Sequence, residues 1–202
     1  MKKSTINAAS MQAAAKRKNY AWFEEGTKNY NLNLFGIRTD DPAVDVFNDW
    51  LGLAWKFKGE WHIRAYPGTT DPGAHWLQNL LNPSGCAILV PGQYKGVYGL
   101  RLHRGIYEAM CQTWGPVRVF RDGNKDNELD FDSSTIMTGD YGINIHHASS
   151  GGITQKVGRF SAGCQVFQDS RDFDYCREIW RKSRANYGNK FTYTLFEEAD
   201  FH

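Results

Sequence analysis

The chain has 202 residues, 41% hydrophobic and 23% charged, a composition that excludes disorder and fits a soluble protein of one domain, or one domain and an appendage. Its net charge of +2 is uneven: residues 1–28 carry six Lys/Arg and two Glu, net +4, and the remainder 18 Lys/Arg and 20 Asp/Glu, net −2. The main body is therefore no nucleic-acid binder, and only the N-terminal piece is expected to seek an anionic surface such as a cell envelope, unless its charges are a solvated helix face.

No run approaches the ~18 apolar residues of a membrane span. The opening MKKSTINAASMQAAAKRK is basic, but Asn7, Ser10 and Gln12 break its apolar stretch, so no Sec leader is expected. The four cysteines (Cys86, Cys111, Cys164, Cys176) have neither CxxC spacing nor the density of a disulfide framework, which points to reduced thiols made in a cytoplasm.

Residues 10–25 read as a helix, with Ser10 as N-cap, Met11, Ala14, Ala15, Lys18 and Trp22 near helical spacing, and Gly26 as its end. Residues 1–28 are taken as a basic helical arm, dispensable for chemistry, and residues 29–202 as the domain. From Leu32 the period changes to two. Leu51, Leu53, Trp55 and Phe57 alternate, as do Trp61, Ile63 and Ala65, and Lys58-Gly59 between them predicts a tight hairpin. YPGTTDPG (66–73) reads as turn chemistry. AILVPG and YGLRLHRG give short strands, and PVRVFRDGNKDNELDFD a hairpin with a long acidic tip. In YGINIHH, Ile143 and Ile145 lie on one face and Asn144 and His146 on the other. The last helix has Ser170 as its N-cap, repeats Phe173, Cys176, Ile179, Trp180, Ser183 and Tyr187, and stops at Gly188. KFTYTLF is the final strand. Many short strands with one late helix packed on the sheet predict a mainly β or α+β fold.

The chemistry centres on GRFSAGCQVF (158–167), a glycine-punctuated loop that carries Cys164 eighteen residues after His146. A nucleophilic cysteine needs an accessible thiol, a base and oxyanion donors. Small Ala162 and Gly163 let a substrate approach, His146 is the candidate base, and the amides of Gly163 and Cys164 are candidate donors. Such a thiol is expected to alkylate fast at neutral pH, whereas a core thiol is not. Cys86, Cys111 and Cys176 read as core. Zinc shared by His146, His147 and Cys164 is disfavoured, because adjacent strand residues face opposite ways.

INIHHA followed by GRFSAGC resembles the catalytic signature of the L,D-transpeptidase family of peptidoglycan cysteine enzymes, and Ser-Ala-Gly-Cys-Gln is similar to its bacteriophage members. YPGTTDPG resembles a turn of that family, with Asp71 inserted before Pro72. The resemblance spans roughly residues 30–202. It implies a β-sandwich-like core, Cys164 as nucleophile, His146 as base oriented by the His147 carbonyl, and Ser161 and Gly163 lining the thiol. Ala162 replaces the family's second His, and Val166 an Arg that is usual two residues after the Cys. Arg159, Arg104 and His103 are therefore candidate substrate-binding residues. The implied activity is hydrolysis of an L,D-type amide in peptidoglycan stem peptides by a monomeric endolysin or virion lysin, made in the host cytoplasm and delivered by a holin or the virion. Cross-linking, or a non-catalytic binding or virion-structural role, is the alternative.

Asp122, Asn124, Asp126 and Glu128 alternate, followed by Asp130, as in oxygen-ligand calcium loops. The EF-hand pattern fails at Asn127 and Ser133, so a structural Ca²⁺ and a plain solvated hairpin tip both stand. No cofactor is required by the expected chemistry.

Overall fold

The computed structural model describes residues 1–24 and 28–202. It is mostly β, with three α-helices. The strands are β1 (Asn33–Arg38), β2 (Asp49–Phe57), β3 (Glu60–Thr69), β4 (Cys86–Leu89), β5 (Gly92–His103), β6 (Tyr107–Gln112), β7 (Val117–Asp122), β8 (Met137–Gly139), β9 (Ile145–His147), β10 (Gln165–Phe167) and β11 (Phe191–Glu197). The helices are α1 (Ala8–Arg17), α2 (Ala74–Gln78) and α3 (Ser170–Tyr187).

The expected sandwich is replaced by a closed sheet. Eight strands form a barrel in the order β1-β11-β5-β6-β9-β10-β3-β2, and β4-β7-β8 form a separate antiparallel sheet. Two parallel pairs make the closure: β11 returns beside β1, and β10 lies beside β9. Parallel neighbours need long crossovers. The 17 residues between His147 and Gln165 that link β9 to β10 contain the cysteine loop.

The Lys58-Gly59 hairpin is present: β2 and β3 pair from Asp49↔Gly68 to Phe57↔Glu60, and both turn residues have positive φ (52° and 87°), as a type I′ turn requires. Pro67 and Gly68, expected in a turn, belong to β3 instead. A Cβ on Gly68 would lie 2.9 Å from the Val166 carbonyl oxygen, so glycine lets β10 approach.

The first helix starts earlier than expected and ends at Arg17. Asn7 is the N-cap, and Ser10 closes a reciprocal capping box with it. Trp22 lies beyond the helix, and Gly26 falls outside the described residues. Met11, Ala14 and Ala15 are buried against Phe35, Ile37, Ala65 and Phe196. The basic segment also meets the acidic C-terminus: the N-terminal amine pairs with Glu198 (2.6 Å) and Lys18 with Asp200 (3.1 Å).

α3 is capped by Asp169, not Ser170, whose side chain is buried. Its apolar stripe of Phe173, Cys176, Ile179 and Trp180 joins the main core with Phe167 of β10. Among the described residues no helix is long and apolar enough to cross a membrane.

Candidate active site

Cys164 sits one residue before β10. The register pairs Val166 with His146 and Gln165 with Ile145, and the Gln165 N–H donates to the Asn144 carbonyl at 2.8 Å. Cys164 is thus two positions upstream of the residue facing His146, on the neighbouring strand. At extended spacing their Cα atoms are roughly 8 Å apart, within reach of two side chains.

The loop before Cys164 is braced from beneath. Ser161 is fully buried; its hydroxyl donates to the Cys164 carbonyl (2.8 Å) and accepts from the Gly163 N–H (3.1 Å), and its own carbonyl accepts from the Gly73 N–H (2.9 Å). Gln165, also fully buried, accepts from the Tyr193 hydroxyl (2.8 Å) and donates to the Thr70 carbonyl (3.3 Å). Thr70 in turn binds buried Asp49 and Arg38. Gly163, at φ 121°, crosses β4. Ser161 therefore supports the loop and does not line the thiol. The Gly163 amide is already engaged, while the Cys164 N–H makes no hydrogen bond among the described residues and stays available to an oxyanion.

The half-buried Cys164 thiol opens on a cleft of ≈ 490 Å³ between the small sheet and the β9–β10 seam. It donates to the Gly142 carbonyl at 3.5 Å, and no hydrogen bond joins it to a histidine among the described residues. Burial pushes the thiol up; the Asn144 N–H and the Arg104 guanidinium pull it part of the way back.

His146 is buried. Its Nδ1 lies 2.8 Å from the His147 carbonyl oxygen, which can only accept, so Nδ1 carries the proton and Nε2 keeps its lone pair. Burial, and then the neighbouring His103, lower its pKa to about 3. His103 stacks on it with ring centroids 4.4 Å apart. Asn144 Oδ1 accepts from the Gln112 N–H, so Asn144 Nδ2 faces His103 Nδ1 at 3.2 Å. Neutral His103 then holds its proton on Nε2. The two stacked rings have opposite tautomers, one a base and the other a donor. The pKa of His103 is lowered by burial and by Arg104. With thiol up and imidazoles down, the resting pair is neutral. A neutral pair favours slow alkylation near neutral pH, where the sequence alone suggests fast alkylation.

Arg104, at the β5–β6 turn with φ 51°, is exposed and lines both this cleft and a groove of ≈ 170 Å³ that holds His146, Ile106, Phe160 and Arg159. Arg159 is exposed, and its carbonyl accepts from Trp76 Nε1 (3.1 Å). The His147 ring is turned away, stacked on Tyr107 at 4.4 Å. Cys86 and Arg121 are among the cleft residues that escaped the sequence reading. Cys86 was read as core; it is buried, yet it also lines the cleft, its thiol 3.8 Å from the Ala162 carbonyl. Arg121 was not considered, although Val117, Val119 and Arg121 share one strand face and the two valines are core.

The acidic loop is engaged with itself. Asn124 Nδ2 donates to Asp126 (2.8 Å) and Asp130 (2.7 Å), Asp126 accepts from the Glu128 N–H (2.8 Å), and Asp122 accepts from the Asp130 N–H (3.1 Å). Among the described residues no group of three or more His, Cys, Asp or Glu is arranged to hold a metal ion.

No protein-family model, curated protein or solved structure matches this chain. The site itself holds a half-buried thiol and a free amide at one cleft, and in its wall an imidazole stacked on a second one of the complementary tautomer.

Proposed function

We propose that this chain is a cysteine peptidase of the L,D-transpeptidase type that hydrolyses an L,D-type amide in peptidoglycan stem peptides, as a bacteriophage endolysin or virion lysin delivered by a holin or the virion. The observation that carries the proposal is Cys164 opening on a cleft whose wall includes His103, the ring stacked on His146, whose own tautomer the His147 carbonyl fixes. The order of a histidine strand, a cysteine loop, α3 and a closing strand supports an L,D-transpeptidase-like arrangement of these elements.

In this mechanism Sγ attacks the amide carbon while the thiol proton passes to His146 Nε2, because neither group is ionised beforehand. The Cys164 N–H, assisted by His103 Nε2–H, receives the negative charge on the carbonyl oxygen. His146 then protonates the leaving amine as the C–N bond breaks. Water, deprotonated by His146, attacks the thioester, releases the acid and restores the thiol.

Incubation with purified peptidoglycan, read by mass, tests the proposal. Shortened stem peptides or opened cross-links are expected, with turnover falling at least ~10²-fold in Cys164→Ala and in His146→Ala. No released fragments would sink the peptidase reading, and full turnover by Cys164→Ala would sink the mechanism. The second groove beside His146 favours one further reading, transfer of the acyl group to an acceptor amine held there.

A further inference from the structure

Two arginines of this chain are more than nine-tenths buried, and they are treated differently. Arg38 is paired at all three nitrogens: Nε meets Thr70 Oγ1 (3.0 Å) and Asp71 (2.8 Å), Nη1 the Leu89 carbonyl (3.0 Å), and Nη2 the Thr70 carbonyl (3.1 Å). Arg121 has one partner, the Gly85 carbonyl, 3.1 Å from Nη1. Its Nε is buried without a hydrogen bond, and Nη2 makes none among the described residues. Its guanidinium lies over the Tyr141 ring, 4.4 Å from the centroid. No ion pair among the described residues includes it; Asp140, the cleft's own carboxylate, is exposed and instead accepts from the Gly142 N–H (3.4 Å).

A guanidinium has five N–H donors in a planar fork, and an incompletely paired cation held out of water is costly. The fold accepts that cost at the buried Nε, in the wall of the cleft on which Cys164 opens. Stacking on Tyr141 fixes the plane of the fork while leaving Nη2 unpaired. A fork so held suits a carboxylate and gains little from a neutral amide.

We infer that Arg121 is the carboxylate-binding residue of this cleft, and that the substrate is a peptide with a free carboxylate close to the attacked bond. The inference rests on the peptidase reading for the word substrate, but not for the binding. Exposed Arg104 and Arg159, the candidates from sequence, have no comparable pre-organisation. Next to the attacked bond of a stem peptide, the carboxylates are those of the C-terminal residue and of the diamino acid side chain.

The experiment is calorimetric, on the Cys164→Ala protein, with synthetic stem tetrapeptides in four forms: free acid, C-terminal amide, side-chain amide, and both amides. The free acid is expected to bind about 10- to 100-fold more tightly than one of the two mono-amides, which identifies the carboxylate. Adding Arg121→Gln should abolish that preference and leave affinity for the double amide unchanged. Arg121→Lys, which keeps the charge and loses the fork, should retain a few-fold preference. It also provides the test if the glutamine variant does not fold. Equal affinity for all four forms, or a preference that survives removal of Arg121, overturns the inference, as does the absence of binding by any form. The peptidoglycan digestion is read separately with unsubstituted protein. Fragments released without an Arg121-dependent preference leave the peptidase standing and remove this inference, whereas the preference without fragments does the reverse.

Discussion

A β-carbon on Gly163 would lie 2.1 Å from the carbonyl oxygen of Ala87, on the strand that the cysteine loop crosses. With φ at 121°, the backbone there is also one that L-residues avoid. The glycine before the cysteine is thus a spacing element that seats Cys164 against the small sheet. Gly163→Ala is expected to cost at least ~2 kcal/mol of stability and to reduce turnover more than ten-fold by moving the sulfur. Denaturant unfolding and kcat/KM measure both. Wild-type values for each would show that the loop is not held by this contact.

The resting thiol is protonated, because burial raises the Cys164 pKa more than the Asn144 N–H and Arg104 lower it. Alkylation by iodoacetamide should therefore be slow near pH 7 and climb through the alkaline range. Arg104→Gln should move that climb to higher pH, since it removes a cation that favours the thiolate. Cys86 shares the cleft, but burial and Asp122 push its thiol to about 12, so peptide mass should show Cys164 labelled first. A rate already at its plateau below pH 7 would overturn this description.

What the sequence made legible was local. Lys58-Gly59 between two alternating runs identified a hairpin, because both the turn and the period are written in neighbouring residues. The stripe from Phe173 to Trp180 identified α3 for the same reason. Barrel closure was not legible, since it depends on β11 returning parallel to β1 across most of the chain, and no local pattern encodes that. β10 has three residues and follows a loop, too short for a period to appear. At the site, Cys164 and His146 stood out by residue type. The His103–His146 stack and the opposite tautomers arise from cross-strand neighbours and Asn144, which only the register brings together. Arg121 was legible in principle, as a charge on a strand face whose other positions are valine.

His146 also couples stability to pH. Its folded pKa, about 3, lies below the ordinary imidazole value of 6.5, so the unfolded chain binds the proton that the folded chain refuses. The contribution is complete above pH 6.5 and is lost as pH falls from there toward 3. Urea midpoints between pH 4 and 7 should decline with acidity, and His146→Gln should flatten that slope whatever its stability at pH 7. An unchanged slope in the variant would assign the acid sensitivity to other groups.

Met11 has no exposed surface and packs where α1 meets the barrel. Met11→Ala should cost ~2–5 kcal/mol through lost burial and the cavity left behind. Deletion of residues 1–24 should lower Tm and activity together, even on small soluble peptides, because it uncovers Phe35, Ile37 and Phe196. An arm used only for attachment would leave Tm unchanged on deletion. Calorimetry of the truncated chain decides between the two.

In the proposed mechanism hydrolysis and acyl transfer diverge only after the thioester forms, so the groove beside His146 would decide which follows. It is lined by His103, Arg104, Ile106, Arg159 and Phe160, and it meets the Cys164 cleft at His103 and Arg104. A transferase must hold an amine there in its unprotonated form and keep water out. Ile106 is 77% exposed and Phe160 38%, so the rim is open to solvent. The two arginines would also repel an ammonium group, the form in which most acceptor amines arrive. Water is then the better-placed nucleophile. With purified tetrapeptide substrate and excess acceptor amine, hydrolysed product should dominate at neutral pH. Arg104→Gln with Arg159→Gln should raise the transferred fraction several-fold by relieving the repulsion. Dominance of cross-linked or amine-exchanged product in the unsubstituted protein would make it a transpeptidase and identify the groove as its acceptor site.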